Sequence, residues 1–166
     1  VSDKIVIIVG YSGHGFVVAD AAISSGIQLS HYTEFEKSSI NPYNLEYLGY
    51  EKNLDFSRNI IRDAEFLLGV GDNLIRKSLF EFLDAKKVRF LNAVHASSMI
   101  SSNTELGRGN FISKGAMINS LSQIHNGCII NTGAIIEHEC VISDYVHIGP
   151  GAVLAGGVHV GSGSFI

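Results

Sequence analysis

From Ile100 onward a branched or long apolar residue returns at every sixth position: Ile100, Leu106, Ile112, Ile118, Ile124, Ile130, Ile136, Ile142, Ile148, Leu154, Val160 and Ile166. Six is neither the helical period nor the alternation of a half-buried strand. A short period sustained this long predicts a solenoid, whose units bury their apolar faces only by stacking on one another. The fourth residue after each apolar one is small or modest, as at Ala116, Ser122, Cys128, Ala134 and Cys140, which lets the chain round a tight corner. The residue directly after it is often small or polar, as at Gly107, Asn119, Asn131, Gly149 and Gly161, and reads as a turn position. Each hexapeptide is then one flat face of a triangular prism, with three faces to a coil and coils ~4.8 Å apart.

That prism resembles the left-handed parallel β-helix of hexapeptide-repeat acyltransferases, and its handedness comes from the resemblance alone. Upstream the pattern differs. Residues 4–9 form a continuous apolar, β-branched run, as in a strand buried on both faces of a parallel sheet. It ends in Gly10-Tyr-Ser-Gly-His-Gly15, before a short helix carrying Phe16, Val17, Ala19, Ala21 and Ile23, with Gly26 at its C-terminal cap. A second strand is expected over 27–32, a surface loop over 33–41, and residues 42–49 are ambiguous. Another buried strand is expected over 64–71. A helix capped by Asp72 or Asn73 follows, with Ile75, Leu79, Phe82 and Leu83 as its apolar stripe and Lys86-Lys87 at its end. A last strand is expected over 88–94. The result is a small alternating β/α, Rossmann-like domain over 1–94 and a β-helix over 95–166.

Composition adds limits. The 166 residues are 46% hydrophobic and 17% charged, and a net charge of −4 without a basic patch argues against a nucleic-acid partner. The longest N-terminal apolar run is far too short for a membrane span or a signal peptide, so a cytoplasmic location is expected. Cys128 and Cys140, twelve residues apart, fall on different prism faces and read as small core residues rather than a disulfide.

Candidate chemistry sits in two places. Strand, glycine-rich turn and helix N-terminus can make an anion site, since free backbone N–H groups and the positive dipole end converge there. The order G-x-x-G-x-G is not the dinucleotide fingerprint G-x-G-x-x-G, which argues against a nicotinamide cofactor. A plain tight turn fits nearly as well, and His14 could simply cap the helix. In the solenoid, His138 lies in Ile135-Ile-Glu-His-Glu-Cys140 between two carboxylates. A carboxylate on one ring nitrogen fixes the tautomer and leaves the other nitrogen as a base. With eighteen residues to a coil, His138 stacks between Ser120 and Gly156, leaving room for a substrate beside the imidazole. His147, half a coil on, points off another side, so a site using both implies an oligomer. A zinc site built from His138, His147 and His159 is disfavoured by the flanking carboxylates and the lack of closely spaced ligand pairs, so no metal is expected.

The Gly10 to Gly15 loop, Gly69-Val-Gly-Asp-Asn73, Ile129-Ile-Asn-Thr-Gly-Ala-Ile-Ile-Glu-His-Glu-Cys140 and Val146-His-Ile-Gly-Pro150 resemble the bacterial sugar acetyltransferases of the sialic acid O-acetyltransferase (NeuD) and UDP-4-amino-sugar N-acetyltransferase (PglD) type. The likeness covers essentially the whole chain, and its most specific part is the set Asn131, His138, Glu139 and His147. It implies a Rossmann-like domain that holds a nucleotide sugar, and a β-helix that trimerises and binds acetyl-CoA between subunits. It further implies His138 as proton acceptor, Glu139 raising its basicity, Ser12, Gly13, His14, Glu34, Gly71 and Asn131 on the substrate side, and His147 and Gly156 against acetyl-CoA. Where the family has paired aspartates after the second strand, this sequence has Thr33-Glu-Phe35, so only Glu34 keeps an acid. Family members also run on for further coils beyond the equivalent of Ile166. The expectation is acetyl transfer to an amine of a nucleotide-linked sugar, most readily the C4 amine of a UDP-sugar. Sugar O-acetylation or a non-catalytic nucleotide-sugar-binding protein are the alternatives.

Overall fold

The computed structural model describes residues 4–166. The first domain is a five-stranded all-parallel sheet in the order β3-β2-β1-β4-β5, formed by β1 (Val6–Val9), β2 (His31–Thr33), β3 (Glu46–Tyr47), β4 (Glu65–Leu68) and β5 (Arg89–Phe90). It carries helices α1 (Gly13–Ser24), α2 (Asn59–Arg62) and α3 (Asn73–Ala85), plus a 3-10 turn at Glu51–Asn53. Strands are added outward in opposite directions on the two sides of the β1–β4 seam, so the loops after these two strands open the crevice where doubly wound sheets hold ligands.

The second strand is shorter than the apolar pattern suggests. The Ile27 N–H closes the end of α1 on the Ala22 carbonyl, with Gly26 left-handed at φ 88°, so pairing with β1 begins only at His31. Tyr47 lies in a paired strand within the stretch the sequence left ambiguous. The run 88–94 divides: Arg89–Phe90 completes the sheet, whereas β6 (Ala93–Val94) pairs with residues of the β-helix. In α3 the buried stripe is Arg76, Leu79, Phe80 and Leu83, and Ile75 is exposed. Asp72 is the cap, accepting from Leu74 N and Ile75 N at 2.9 Å each.

The β-helix is left-handed, with three parallel four-stranded faces. The first contains β7 (Met99–Ile100), β10 (Met117–Ile118), β13 (Ile135–Ile136) and β16 (Val153–Leu154). The second contains β8 (Glu105–Leu106), β11 (Gln123–Ile124), β14 (Val141–Ile142) and β17 (His159–Val160). The third contains β6, β9 (Phe111–Ile112), β12 (Ile129–Ile130) and β15 (His147–Ile148). The six-residue column packs inward from Ile100 to Val160, whereas Ile166 is exposed, and the small column, including Ala116, Ser122, Cys128, Ala134 and Cys140, fills the same core. The corner residue itself lies elsewhere than expected: from Leu106 to Val160 the left-handed position is the third after each inward aliphatic, not the first. It is glycine at Gly109, Gly115, Gly127, Gly133, Gly151, Gly157 and Gly163, but Leu121, Glu139 and Tyr145 also occupy it.

Glycines of the first domain serve its packing. A Cβ on Gly69 would lie 2.1 Å from the Gly10 carbonyl oxygen, and one on Gly15 2.3 Å from the same atom. Gly10 is left-handed at φ 86°. A Cβ on Gly13 meets nothing within 4 Å, so packing does not demand glycine there. Gly69→Ala should therefore destabilise by about 1–3 kcal/mol, as overpacking against rigid backbone does. Gly13→Ala should stay within about 0.5 kcal/mol of the parent. Urea unfolding of the two variants side by side measures the contrast.

Candidate functional site

A cleft of about 570 Å³ opens at the carboxyl ends of β1 and β4. Gly10 and Ser12 border it on one side and Gly69, Val70 and Gly71 on the other, with Glu34, Phe35, Tyr50, Glu51 and Lys52 beyond. Leu74 and Ile75 stand exposed along its wall. The Glu34 carboxylate is fixed from both oxygens, accepting from Tyr11 N at 2.9 Å and Phe35 N at 3.0 Å. An acid at the end of the second strand of such a sheet is placed to accept from ribose hydroxyls. Ser12 caps α1 with its backbone carbonyl, which accepts from Phe16 N, and its side chain makes no capping bond.

His14 lies in the first turn of α1, not at its cap. Its ring sits against the position a Gly71 Cβ would take, at 3.4–3.6 Å, and meets Phe111 edge-on at 5.3 Å. It faces the His147 ring at 6.4 Å. His147, on the outer side of the third prism face, is only 7% exposed because the first domain and Phe165 cover it. Asn131 connects to it from the coil before: the Asn131 Oδ1 accepts from Thr132 N at 2.8 Å, which orients the amide so that Nδ2 donates to His147 Nε2 at 2.9 Å. A neutral His147 accepting there carries its proton on Nδ1. Burial first, then the neighbouring His147 and Arg76 charges, push His14 down to about 4. Burial and Arg76 likewise lower His147, against a small opposing effect of the Gly71 carbonyl.

The other predicted residues occupy a different edge. His138 and Glu139 form the corner between the first and second faces, and both are largely exposed. Glu139 Oε2 lies 2.9 Å from His138 Nδ1. A carboxylate only accepts, so Nδ1 holds the proton and Nε2 presents its lone pair outward. Gly156 lies directly beneath in the next coil, where a Cβ would stand 2.6 Å from His138 Nε2. Glycine there leaves the ring its place. One chain thus groups Ser12, His14, Glu34, Gly71, Asn131 and His147 around the domain junction, and His138, Glu139 and Gly156 on a separate corner. Among the described residues no group of three His, Cys, Asp or Glu side chains could hold a metal ion. Among the described residues no helix is long and apolar enough to cross a membrane.

Sequence reasoning missed Phe35, Tyr50 and Glu51, which lie in loops without periodicity. It also missed Arg76, for which a signal existed: residues 76, 79, 80 and 83 follow the i, i+3, i+4, i+7 spacing of a buried stripe, with a cation at its head.

Residues 5–83 match the PglD N-terminal domain, and residues 121–156 match the bacterial transferase hexapeptide (six repeats). The first match falls on the domain built on the five-stranded sheet and the second within the β-helix. Over 110 residues it is 37% identical to the UDP-N-acetylbacillosamine N-acetyltransferase of Bacillus subtilis (strain 168), covering 66% of this chain and 51% of that protein. The chain thus spans about half the length of this curated relative. Among solved structures, a mutant of perosamine N-acetyltransferase from Caulobacter crescentus in complex with CoA and GDP-perosamine superposes with a TM-score of 0.89 at 29% identity, over 99% of this chain and 77% of that one. The acetyltransferase domain of PglB from Neisseria gonorrhoeae FA1090, in complex with acetyl coenzyme A, shares the fold with a TM-score of 0.82 at 23% identity, over 99% of this chain and 82% of that one.

The depressed His14 has a consequence for stability. The unfolded chain takes up this proton near 6.5 and the folded protein only near 4, so the contribution is fully present above pH 6.5 and is lost as pH falls toward 4. The full shift corresponds to about 3 kcal/mol. Urea unfolding at pH 7 and pH 4.5 should show His14→Gln losing less stability on acidification than the parent. An equal loss in both would contradict a buried neutral His14.

Proposed function

We propose that the protein is an acetyl-CoA-dependent acetyltransferase that N-acetylates a nucleotide-activated amino sugar, with a UDP-linked 4-amino sugar the first substrate to test. The observation that carries this reading is the His138–Glu139 pair, a tautomer-fixed imidazole with its free nitrogen outward, on a chain whose other domain opens a nucleotide-sized cleft. The names of the relatives with UDP- and GDP-linked amino sugars support the same substrate class, and the CoA complexes support the acyl donor.

In this mechanism the sugar amine attacks the thioester carbonyl as His138 Nε2 takes the amine proton. The C–N bond forms, the tetrahedral centre collapses with cleavage of the C–S bond, and the imidazolium returns a proton to the departing CoA sulfur. Glu139 holds the ring and balances its transient charge. The Gly10–Gly15 turn, where Gly13 leaves open space over the N-terminus of α1, receives the diphosphate, and Glu34 receives the ribose.

His138 is exposed in one chain, so a second copy is needed to wall the reacting groups off from water. The first prism face offers the contact: Met99, Met117, Ile135 and Val153 run down its outer side as an apolar stripe ending beside the His138 corner. A homotrimer built on this face brings His138 of one copy to the coils of the next. The buried free cysteines Cys128 and Cys140 suit a reducing compartment, and we place the protein in the cytoplasm.

His138→Ala should lower kcat ~10²–10⁴-fold with little change in acetyl-CoA affinity, and Glu139→Ala should cost less because the imidazole survives. Sugar-dependent release of CoA thiol measures both; near-normal turnover in His138→Ala would remove it from the mechanism. Separately, sedimentation velocity should give a trimer, and Met117→Glu should dissociate it by burying an unpaired charge in the contact. A monomeric parent would leave the site open and sink the shared-site reading.

A further inference from the structure

Among the described residues Arg76 is the largest fully buried side chain, at 1% exposure, and every acceptor it hydrogen-bonds is uncharged. Its Nε donates to the Gly127 carbonyl at 2.7 Å, and one Nη donates to the Tyr145 carbonyl at 3.0 Å and to Asn73 Oδ1 at 2.8 Å. The other Nη donates to the Gly71 carbonyl at 2.8 Å and the Val70 carbonyl at 3.3 Å. Gly127 and Tyr145 are corner residues of successive coils, both left-handed. The guanidinium therefore ties two stacked corners of the β-helix to the loop between β4 and α3, and that loop is a wall of the cleft. A buried cation is normally paired, because desolvation of an isolated charge is costly. Here the fork geometry of arginine is used on carbonyls, and the nearby Asp72 carboxylate favours its charge without hydrogen-bonding to it.

We propose that Arg76 is a positioning residue for the transfer reaction: its clamp on residues 70–71 and on the Gly127 and Tyr145 carbonyls sets where the nucleotide-sugar cleft stands relative to the β-helix. The inference rests on the function proposed above. The loop carbonyl it holds, Gly71, lies on the line that continues to His14, His147 and Asn131, so the clamp governs the substrate-side group as a unit. Its charge acts on the same group. Arg76 faces His14 from α1, His147 from β15, Cys128 from the β-helix core and Asp72 from its own helix, and both histidines are lowered partly on its account. Burial in turn lowers Arg76 itself to about 10, leaving it charged at neutral pH.

Two variants separate the clamp from the charge. Arg76→Met removes both, and Arg76→Lys keeps a charge but cannot span four carbonyls. In Arg76→Met the KM for the nucleotide sugar should rise ~10-fold or more while the KM for acetyl-CoA stays within about twofold, as misplacement of a bound substrate produces. Ring ¹⁵N spectra should show His147 titrating at higher pH than in the parent, since a like charge has gone. In Arg76→Lys the sugar KM should rise while the histidine titration stays close to the parental one. A mere structural prop would lower Tm in both variants and leave KM and the His147 titration of the folded protein unchanged, and that result overturns the proposal. Should Arg76→Met not fold, a parental sugar KM in Arg76→Lys overturns it equally. If the parent shows no sugar-dependent consumption of acetyl-CoA, the proposed function fails, while an unmoved His147 titration in Arg76→Met would count against the Arg76 inference on its own.

Discussion

The third face of the prism is built twice over, and the rest of the molecule depends on that. Its inward column closes the solenoid core. Its outward column, Ala93, Phe111 and Ile129, belongs to the core of the first domain with Tyr11, Val18, Ala22 and Leu67. A solenoid face that would otherwise be solvated becomes the floor under α1, so the two domains share buried apolar surface rather than touch across a polar seam. Arg76 and Tyr145 repeat the arrangement at the adjoining corner, where Tyr145 packs edge-on against Phe80 at 5.6 Å. The cleft loops are thereby referenced to the coils themselves. For the transfer proposed above, with its two substrates on two domains, that rigidity has a chemical use, because the reacting atoms must meet within a fraction of an ångström.

The repeat was legible because one physical requirement, an aliphatic pointing inward once per face, imposes a period that nothing else in a sequence produces. The parallel sheet was legible for a similar reason: Val6 to Val9 and Phe66 to Leu68 are buried on both faces, and β-branched or apolar residues accumulate there. What escaped was set by pairs of distant residues. Gly69 reads as a ligand-loop glycine, yet the Gly10 carbonyl 2.1 Å from its absent Cβ is enough to demand it. Ile75 fits the helical stripe as well as Arg76 does, and the order of burial between them is decided by the corner carbonyls of Gly127 and Tyr145, some fifty to seventy residues away. His138 with Glu139 could be read as a pair because their contact is between neighbours. The His14, His147 and Asn131 group could not, since only the docking of α1 on the third face creates it.

The corners distinguish structural from chemical demands. A left-handed backbone position costs a non-glycine residue roughly 1–2 kcal/mol, and seven of the corner positions avoid that cost with glycine. Tyr145 recovers it by packing into the domain junction against Phe80. Glu139 recovers no such packing: its side chain is 63% exposed and its one described partner is the neighbouring His138. An exposed ion pair of this kind adds little stability, so packing explains the left-handed glutamate no better than it explains the exposed Leu121. The glutamate is explained by geometry, because the corner conformation turns the carboxylate back on Nδ1 while Gly156 below leaves Nε2 clear. Leu121 keeps the same conformation while 58% exposed, so the strain is common to the corner and what sets Glu139 apart is the carboxylate it turns onto the imidazole.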